Sequence, residues 1–493
     1  MFNDSSPAEI ETIMQNAWNA FHIYRKLSLQ QRANFMRAIA TALESCGDEL
    51  IQTAMQETNL PEARLRGERG RTIFQLNSYA AACEKGDWLE ARIDTAIPEK
   101  VPPKPDIRKM LVPLGPVLVF GASNFPFAYS TAGGDTACAF AAGCPVIVKA
   151  HPAHPKTSTI VAQAILTAAD SCNMPTGIFA HVYGAGFEVG KALVTHPYTK
   201  AVGFTGSFTG GKQLFDWGNQ RKEPIPVFAE MGSINPVFLL PEKLNSSFAE
   251  IAQQYAASIT LGVGQFCTNP GLIIGIEGEG LQNFIHDLGK SIQKIVPAPM
   301  LHTGIVNAYK INKGNALLQE DVHLVAESET MVKDNEGLPT VATASAEAFL
   351  NNPVLHQEVF GPYSLVIRCK DMHEMIEVAR HLEGQLTATL MATSSELQQQ
   401  VELVEVVKNI CGRFILNSVP TGVEVCLSMH HGGPFPASTD SRYSSVGADG
   451  IKRFARPMAF QNWSNELLPD ELKNENQLGI WRTINDELSK AAI

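Results

Sequence analysis

Cys267 lies in Gly264-Gln265-Phe266-Cys267-Thr268-Asn269-Pro270, a single thiol among small and polar neighbours. Upstream, Phe228-Ala229-Glu230-Met231-Gly232 holds a lone carboxylate in an apolar run that ends in glycine. A thiolate attacks carbonyl carbon, and a carboxylate whose pKa is raised by burial can activate water. Together they point to covalent chemistry on an aldehyde or acyl group, with Cys267 as nucleophile and Glu230 as base. Free cysteine is also among the most buried residue types and often only fills space, so the neighbouring motifs decide between the two readings.

Several of those motifs follow expected strands. Gly206-Ser207-Phe208-Thr209-Gly210-Gly211-Lys212-Gln213 departs from the phosphate-binding pattern G-x-x-x-x-G-K-[ST] at its last position. Gln213 lacks the hydroxyl that would hold magnesium, which argues against ATP chemistry. The turn still suits a pyrophosphate at a helix N-terminus, or is a plain strand-to-helix turn. Gly184-Ala185-Gly186-Phe187-Glu188-Val189-Gly190 spaces its last glycine one residue too far for a dinucleotide fingerprint and reads as a loop.

Lys149 closes a buried strand, where a lysine can reach a ribose or phosphate or simply meet solvent. His151 and His154 each precede a proline, which argues against a helical metal pair. In Ser123-Asn124-Phe125-Pro126-Phe127, the Asn124 amide can serve a developing oxyanion or a turn. Gln357-Glu358-Val359-Phe360-Gly361-Pro362 sets a second carboxylate beside an aromatic ring, open to ribose hydroxyls or to solvent. His430-His431-Gly432-Gly433-Pro434 either lines a pocket or caps a turn.

The elements that must position these residues show a clear pattern. Ile10, Ile13, Met14, Trp18 and Phe21 recur at helical spacing, a second amphipathic run covers 29–55, and a further helix is expected over 61–85. Residues 92–112 read as a hairpin or linker. Strands are then expected at 116–121, 144–149, 178–183 and 201–204, alternating with helices at 131–142, 157–171, 187–194 and 210–217. This alternation indicates a parallel sheet covered on both faces, with ligands at the carboxyl ends of its strands. A second α/β pattern runs from Asn235 to about Asn417, with helices over 248–260 and 372–381. The tail from Gly432 is loop-rich, with a polar, helical end expected.

A chain of 493 residues holds two or three domains. Charged residues make up 18% and mean hydropathy is -0.03, and the apolar run 110–122 is broken by Pro113, Gly115 and Pro116, so no membrane span is expected. A net charge of -11 and a pI near 5.7 argue against nucleic-acid or anionic-membrane partners. The one local basic cluster comprises Arg64, Arg66, Arg69 and Arg71. Nine cysteines without a CxxC pair form neither a zinc pattern nor a disulfide framework. With no signal-peptide pattern at Met1-Phe2-Asn3-Asp4-Ser5, a cytoplasmic location is expected.

Taken in order, these motifs resemble the aldehyde dehydrogenase superfamily from residue 7 to residue 460. The matching segments are Asn124, Lys149, Phe204 to Ser207, Glu230 to Gly232, Gly264 to Cys267 and Glu358 to Pro362. Residues 120–126, 149–155, 262–270 and 431–436 are most similar to the α-ketoglutaric semialdehyde (2,5-dioxopentanoate) dehydrogenases. A related branch of NADP-dependent fatty-aldehyde dehydrogenases shares much of this pattern.

The resemblance implies an α/β fold with a Rossmann-like cofactor domain over 1–229, interrupted by an oligomerisation hairpin at 92–112. It implies an α/β catalytic domain over 230–432, and a segment 433–493 that returns to the core and the oligomer interface. It further implies catalysis by Cys267, Glu230 and Asn124, with cofactor contacts from Lys149, Ser207, Gly206, Gly211, Glu358 and Phe360. Arg71, His431 and Phe127 are the substrate candidates, no metal is implied, and a homodimer or homotetramer is.

Where the family carries a glutamate three residues after the strand lysine, this chain has Pro152. That favours NADP over NAD, with Lys156 or His151 as phosphate contacts. The usual Glu-Leu-Gly-Gly-Lys reads Glu230-Met231-Gly232-Ser233-Ile234, which keeps the acid. The implied reaction is oxidation of 2,5-dioxopentanoate to 2-oxoglutarate through a cysteine thioester. Medium- or long-chain aliphatic aldehydes are the alternative substrates. Glu230 argues against a CoA-acylating enzyme, and Cys267 with Glu230 against a non-catalytic homologue.

Overall fold

A computed structural model describes residues 2–493. Helices α1 (Pro7–Tyr24), α2 (Leu29–Ser45), α3 (Gly47–Thr58) and α4 (Glu62–Lys85) open the chain. Reciprocal capping by Ser6 with Glu9 and by Ser28 with Gln31 starts the first two. Arg64, Glu68 and Arg71 share one face of α4, being four and then three residues apart. No described helix is long and apolar enough to cross a membrane.

After β1 (Arg92–Asp94) and β2 (Ile107–Pro113), the expected alternation appears. It comprises β3 (Val117–Phe120), α5 (Gly134–Ala142), β4 (Val146–Lys149), α6 (Pro155–Ser171), β5 (Phe179–Val182), α7 (Phe187–Thr195), β6 (Ala201–Thr205), α8 (Phe208–Asn219) and β7 (Val227–Glu230). These strands form a parallel sheet in the order β5-β4-β3-β6-β7. The chain reverses direction of winding between β3 and β6, so a crevice opens past their carboxyl ends. Asn124 and Gly206-Ser207 occupy its two banks. Helix α8 starts earlier than expected because Ser207 caps it.

The second sheet contains β8 (Val237–Leu239), β9 (Leu272–Ile276), β10 (His323–Glu327), β11 (Thr340–Ser345), β12 (Tyr363–Cys369), β13 (Gln385–Met391) and β14 (Cys411–Leu416). Their order is β10-β11-β12-β9-β8-β13-β14, and only β10 runs antiparallel to its neighbour. Helix α9 (Pro241–Thr260) covers one face; its non-helical Ser247 explains why periodicity marks a start only at Phe248.

The tail corrects one expectation. In place of a terminal helix the chain forms β15 (Ala455–Gln461), β16 (Arg482–Ile484) and β17 (Glu487–Ser489). Asn485 and Asp486 both adopt positive φ (46° and 71°), the conformation of a two-residue hairpin turn. With β1 and β2 these strands make a separate sheet, β15-β2-β1-β16-β17. The buried Arg482 guanidinium closes it by donating to the carbonyls of Asn474 (3.3 Å) and Ala491 (2.9 Å).

A buried polar knot fastens the turn that leads from the first large sheet into the second. Asn235 is fully buried and left-handed (φ 48°). Its amide nitrogen donates to the carbonyls of Cys267 and Asn269, both at 2.9 Å, and its oxygen accepts from Thr387 at 3.0 Å. Gln385 at the start of β13 accepts from Ser233 Oγ (2.8 Å) and from the Ile234 N–H (2.9 Å). Removing the Asn235 side chain strands several buried groups at once. Asn235→Ala is therefore expected to lower stability by about 3 kcal/mol. Urea unfolding checks this, and a loss below about 0.5 kcal/mol would rule the knot out as a fastening.

Candidate active site

Glu230 ends β7, Cys267 stands in the loop before β9, and His431 lies in the loop after β14. Their side chains converge. Cys267 Sγ is 3.4 Å from His431 Nε2, which is 3.0 Å from Glu230 Oε1. Ser445 donates to the other carboxylate oxygen at 2.6 Å. Glu230 Oε1 makes no hydrogen bond of acceptable angle despite its closeness to the imidazole. The Glu230 and His431 side chains are 4% and 1% exposed, so both are shielded from bulk water, while Cys267 is partly exposed.

The approach to Cys267 is strained. Gly262, Val263 and Gly264 are successively left-handed (φ 54°, 59° and 65°), and a β-branched residue there costs on the order of 1–3 kcal/mol. At Gly264 a Cβ would lie 2.2 Å from the Gly361 carbonyl oxygen, so only glycine passes.

Burial pushes the Cys267 thiol well above its usual range, and the negative charges of Glu230 and Glu358 add to that. For Glu230 the outcome differs from the expected upward shift. Burial alone would raise it, but the facing His431, the hydrogen bond from Ser445 and the nearby Cys267 thiol hold it below the ordinary glutamate value. The resting thiol is thus protonated beside an ionised carboxylate. His431 Nε2 is in position to take its proton.

Asn124 Nδ2 donates to the Gln265 carbonyl at 3.2 Å, docking this amide on the cysteine loop. Arg64 donates to the Asn124 carbonyl at 3.2 Å and pairs with Glu68 at 3.5 Å. Buried Glu68 in turn accepts from the N–H groups of Phe127 (2.8 Å) and Ala128 (3.0 Å). Phe127 itself does not join the site: its ring packs in the helical core, 2% exposed, because this turn is pinned to α4. The aromatic surface beside Cys267 is built by Phe125, Tyr129 and Phe266.

Cations surround that surface. Arg71 donates to the Tyr129 hydroxyl at 3.0 Å, and Arg64 lies 4.4 Å from the Phe125 ring centroid. Arg413 of β14 donates to the carbonyls of Gly422 (2.8 Å) and Pro420 (2.5 Å), fastening the loop that leads to His431. The Nε atoms of both Arg71 and Arg413 are buried without a partner. Burial pulls the Arg413 guanidinium down, opposed by Cys267 and Tyr129.

On the cofactor side, half-buried Lys149 ends β4 and its ammonium is lowered by burial. Ser207 accepts from the Gly210 N–H at 3.2 Å as the cap of α8. Gly206 lies at the same helix start, whereas Gly211 faces Met231 and lets α8 approach the sheet. Glu358 lies over Gly232, and burial raises its carboxyl to about 7 against the pull of the Ser233 N–H. Phe360 and Glu358 line one crevice with Ser233 and Ile234. This donor set, a helix N-terminus with a nearby lysine and a carboxylate, fits a dinucleotide. His151 stacks on His154 at 5.5 Å, and the Lys156 side chain is exposed.

Sequence patterns gave no sign of Ser445, Arg413, Asn235 or Glu68. Arg64 belonged to the visible basic cluster without an assigned task, and the position of His431 between thiol and carboxylate has no linear signature.

Comparison with known proteins adds a second line of support. A family model described as "Aldehyde dehydrogenase family" matches residues 1–448. The chain is 46% identical over 483 residues to the "Alpha-ketoglutaric semialdehyde dehydrogenase 2" of Azospirillum brasilense, covering 98% of this chain and 92% of that one. It is 44% identical over 492 residues to the "Alpha-ketoglutaric semialdehyde dehydrogenase" of Acinetobacter baylyi, covering 99% and 93%. Among solved structures, a 1-pyrroline-5-carboxylate dehydrogenase from Thermus with bound NAD superposes with a TM-score of 0.78 at 21% identity, covering 93% and 86%. A glyceraldehyde-3-phosphate dehydrogenase of Methanocaldococcus jannaschii complexed with NADP gives 0.76 at 18% identity, covering 93% and 95%. These structural likenesses concern the fold.

Because the Cys267 thiol is raised, iodoacetamide should alkylate it at pH 7 at least about tenfold more slowly than an exposed cysteine. Its rate should still be climbing at about pH 9. Peptide mass spectrometry across pH checks this, and a rate already level at pH 7 would show an ionised resting thiolate.

Proposed function

This chain belongs to the aldehyde dehydrogenase family, and we propose that the aldehyde it oxidises is 2,5-dioxopentanoate, giving 2-oxoglutarate. The observation that carries this reading is Arg71, bonded to Tyr129 of the aromatic surface beside Cys267, with Arg413 within electrostatic reach of Cys267 and Tyr129, each arginine having a buried Nε–H without a partner. An aldehyde bearing a carboxylate at its far end needs such donors, and an aliphatic aldehyde does not. The names of the Azospirillum brasilense and Acinetobacter baylyi relatives agree with this class of substrate.

In this proposal Cys267 passes its proton to His431 and attacks the carbonyl carbon. The Asn124 amide, which has one N–H beyond the bond to Gln265, and the Cys267 backbone N–H stabilise the oxyanion. Losing one such donor costs ~10²–10³ in rate. Bound NADP or NAD supplies the hydride acceptor for this chemistry. Lys149, Ser207, Gly206, Glu358 and Phe360 would hold it, while Gly211 serves by letting α8 pack closely. Ionised Glu230 then takes a proton from the water that cleaves the Cys267 thioester, and the departing Cys267 sulfur regains its proton from His431. Pro152, in place of an acid that would repel a 2′-phosphate, supports a preference for NADP, with exposed Lys156 as the nearby cation; burial beside His154, His302 and Lys149 keeps His151 neutral, so it can offer a phosphate only a hydrogen bond.

We assign residues 1–229 to the cofactor unit, interrupted by the hairpin at 92–112, residues 230–432 to the catalytic unit, and 433–493 to the returning segment. The two sheets and the bridge between Glu230 and Ser438 support this division. Edge strand β14 exposes Phe414 and Leu416, which supports a homodimer or homotetramer. Nine free cysteines support a reducing cytoplasm.

Initial rates without CoA test the substrate, using 2,5-dioxopentanoate, succinic semialdehyde and a medium-chain aliphatic aldehyde, each with NADP and with NAD. The expected result is highest kcat/KM for 2,5-dioxopentanoate with NADP. Arg71→Ala should raise KM for that substrate by about 10- to 100-fold and leave the aliphatic aldehyde unaffected. Preference for the aliphatic aldehyde would establish the alternative reading.

A second prediction concerns Glu358, whose carboxyl titrates at about 7. Folding favours its protonated form, so the carboxylate able to accept strongly from ribose hydroxyls appears only as pH rises through 7. NAD should bind about five-fold more tightly at pH 8 than at pH 6, since charge-assisted bonds are roughly twice as strong as neutral ones. Fluorescence titration checks this, and Glu358→Gln should flatten the dependence. An unchanged dependence in that variant would remove Glu358 from the cofactor site.

A further inference from the structure

We propose that Cys267, His431 and Glu230 form a binding site for one zinc-type divalent cation, and that filling it switches the enzyme off reversibly. The three donors are a thiol sulfur, an imidazole nitrogen and a carboxylate oxygen, all within 4.8 Å of one another. Among the described residues no other set of three such side chains converges this closely. Thiolate, imidazole and carboxylate are the ligand types of protein zinc sites, and three of them with one open position is a common arrangement.

Two of the three donor separations fit the ion closely. Tetrahedral zinc with bonds of about 2.3 Å to sulfur and about 2.0–2.1 Å to nitrogen and oxygen sets sulfur and nitrogen about 3.5 Å apart, and nitrogen and oxygen about 3.3 Å apart. Here those separations are 3.4 Å and 3.0 Å. A second observation points the same way. Glu230 Oε1 is buried without a hydrogen bond, although the imidazole nitrogen is 3.0 Å away. That oxygen thus keeps its hydrogen-bonding capacity unused within reach of the other two donors.

The supporting contacts leave that oxygen free. Ser445 holds the opposite carboxylate oxygen, and Ser444 accepts from the His431 backbone N–H at 2.9 Å. Such outer contacts preset ligand geometry before any ion arrives. Neither His151 nor His154 competes as a cluster: His154 Nε2 faces the Ala122 carbonyl at 2.9 Å, and His151 Nδ1 accepts from the Ala153 N–H at 3.1 Å.

Binding is balanced by release of one proton. The Cys267 thiol loses its hydrogen to solvent, the sulfur forms a bond to the cation, and His431 and ionised Glu230 donate lone pairs. Two negative ligands and one dication leave the buried cluster neutral, which offsets the cost of holding the carboxylate there alone. No redox step occurs. The sulfur lone pair needed for attack on an aldehyde is then committed to the ion, and both bases lose their free lone pairs.

Cobalt(II) titration of the full-length protein, in chelator-free and thiol-free buffer, tests the site without turnover. Its outcome is therefore independent of which aldehyde is oxidised. One equivalent should produce a thiolate-to-cobalt charge-transfer band in the near ultraviolet and strong visible bands of a tetrahedral site. Zinc should displace the cobalt, block alkylation of Cys267, and abolish dehydrogenase activity until EDTA restores it. The isosteric Cys267→Ser should lose the charge-transfer band, and His431→Gln should bind cobalt at least about 10- to 100-fold more weakly. Absence of the band in the wild-type protein, or a band undiminished in Cys267→Ser, would overturn the proposal. So would zinc inhibition of equal strength in His431→Gln.

Discussion

The site depends on one buried side chain that never reaches substrate. Asn235 ties the carbonyls on both sides of Thr268 to the turn that leaves Glu230, and Gln385 ties that turn to the second sheet. A polar knot of this kind is stable only when every member is satisfied, which makes its geometry nearly unique. The distance between nucleophile and carboxylate is thus set by backbone fastening, and the two reactive side chains need not attract each other to stay close. The left-handed conformation of Asn235 belongs to the same solution, since asparagine tolerates it better than most residues.

Packing alone would put these reactive groups at odds. A buried thiol beside two carboxylates is pushed toward its protonated form, while the neighbouring imidazole keeps Glu230 ionised. The arrangement therefore stores a proton on sulfur and an acceptor within hydrogen-bonding distance. Chemistry needs only a short proton transfer to expose the nucleophile, at the point where aldehyde arrives. The same convergence of lone pairs is what makes the cluster a natural seat for a soft dication. Catalytic readiness and sensitivity to metal arise from one geometry.

Much of this was legible in the linear chain, for identifiable reasons. Cys267 and Glu230 lie in short motifs with glycine close by, and glycine is demanded where Gly264 passes the Gly361 backbone. The first sheet was legible because its strands alternate with helices at regular intervals. Arg413, Ser445 and Glu68 were invisible because each acts through a backbone group or side chain far away in sequence. Phe125 and Phe127 look alike in the sequence, and their different packing, one beside Cys267 and one in the helical core, shows only once Glu68 pins the backbone of this turn to α4. The terminal hairpin was missed because its polar composition hides the Asn485-Asp486 turn, whose left-handed pair only matters once β1 offers an edge to β16.

The least legible feature is also the most consequential. Parallel α/β sheets place ligands past the carboxyl ends of their strands, and the first sheet does so with Asn124, Lys149, Ser207 and Glu230. The second sheet does the reverse, since Cys267 precedes β9, Glu358 precedes β12 and Gln385 begins β13. Each sheet alone would present only half of the machinery. Facing the amino ends of one sheet with the carboxyl ends of the other brings nucleophile, base and cofactor donors into one water-poor seam. The loop after β14, fastened by Arg413, then closes the seam with His431. Such a seam exists only when both sheets are folded and the Asn235 turn joins them, which explains why no single segment of the sequence reveals it.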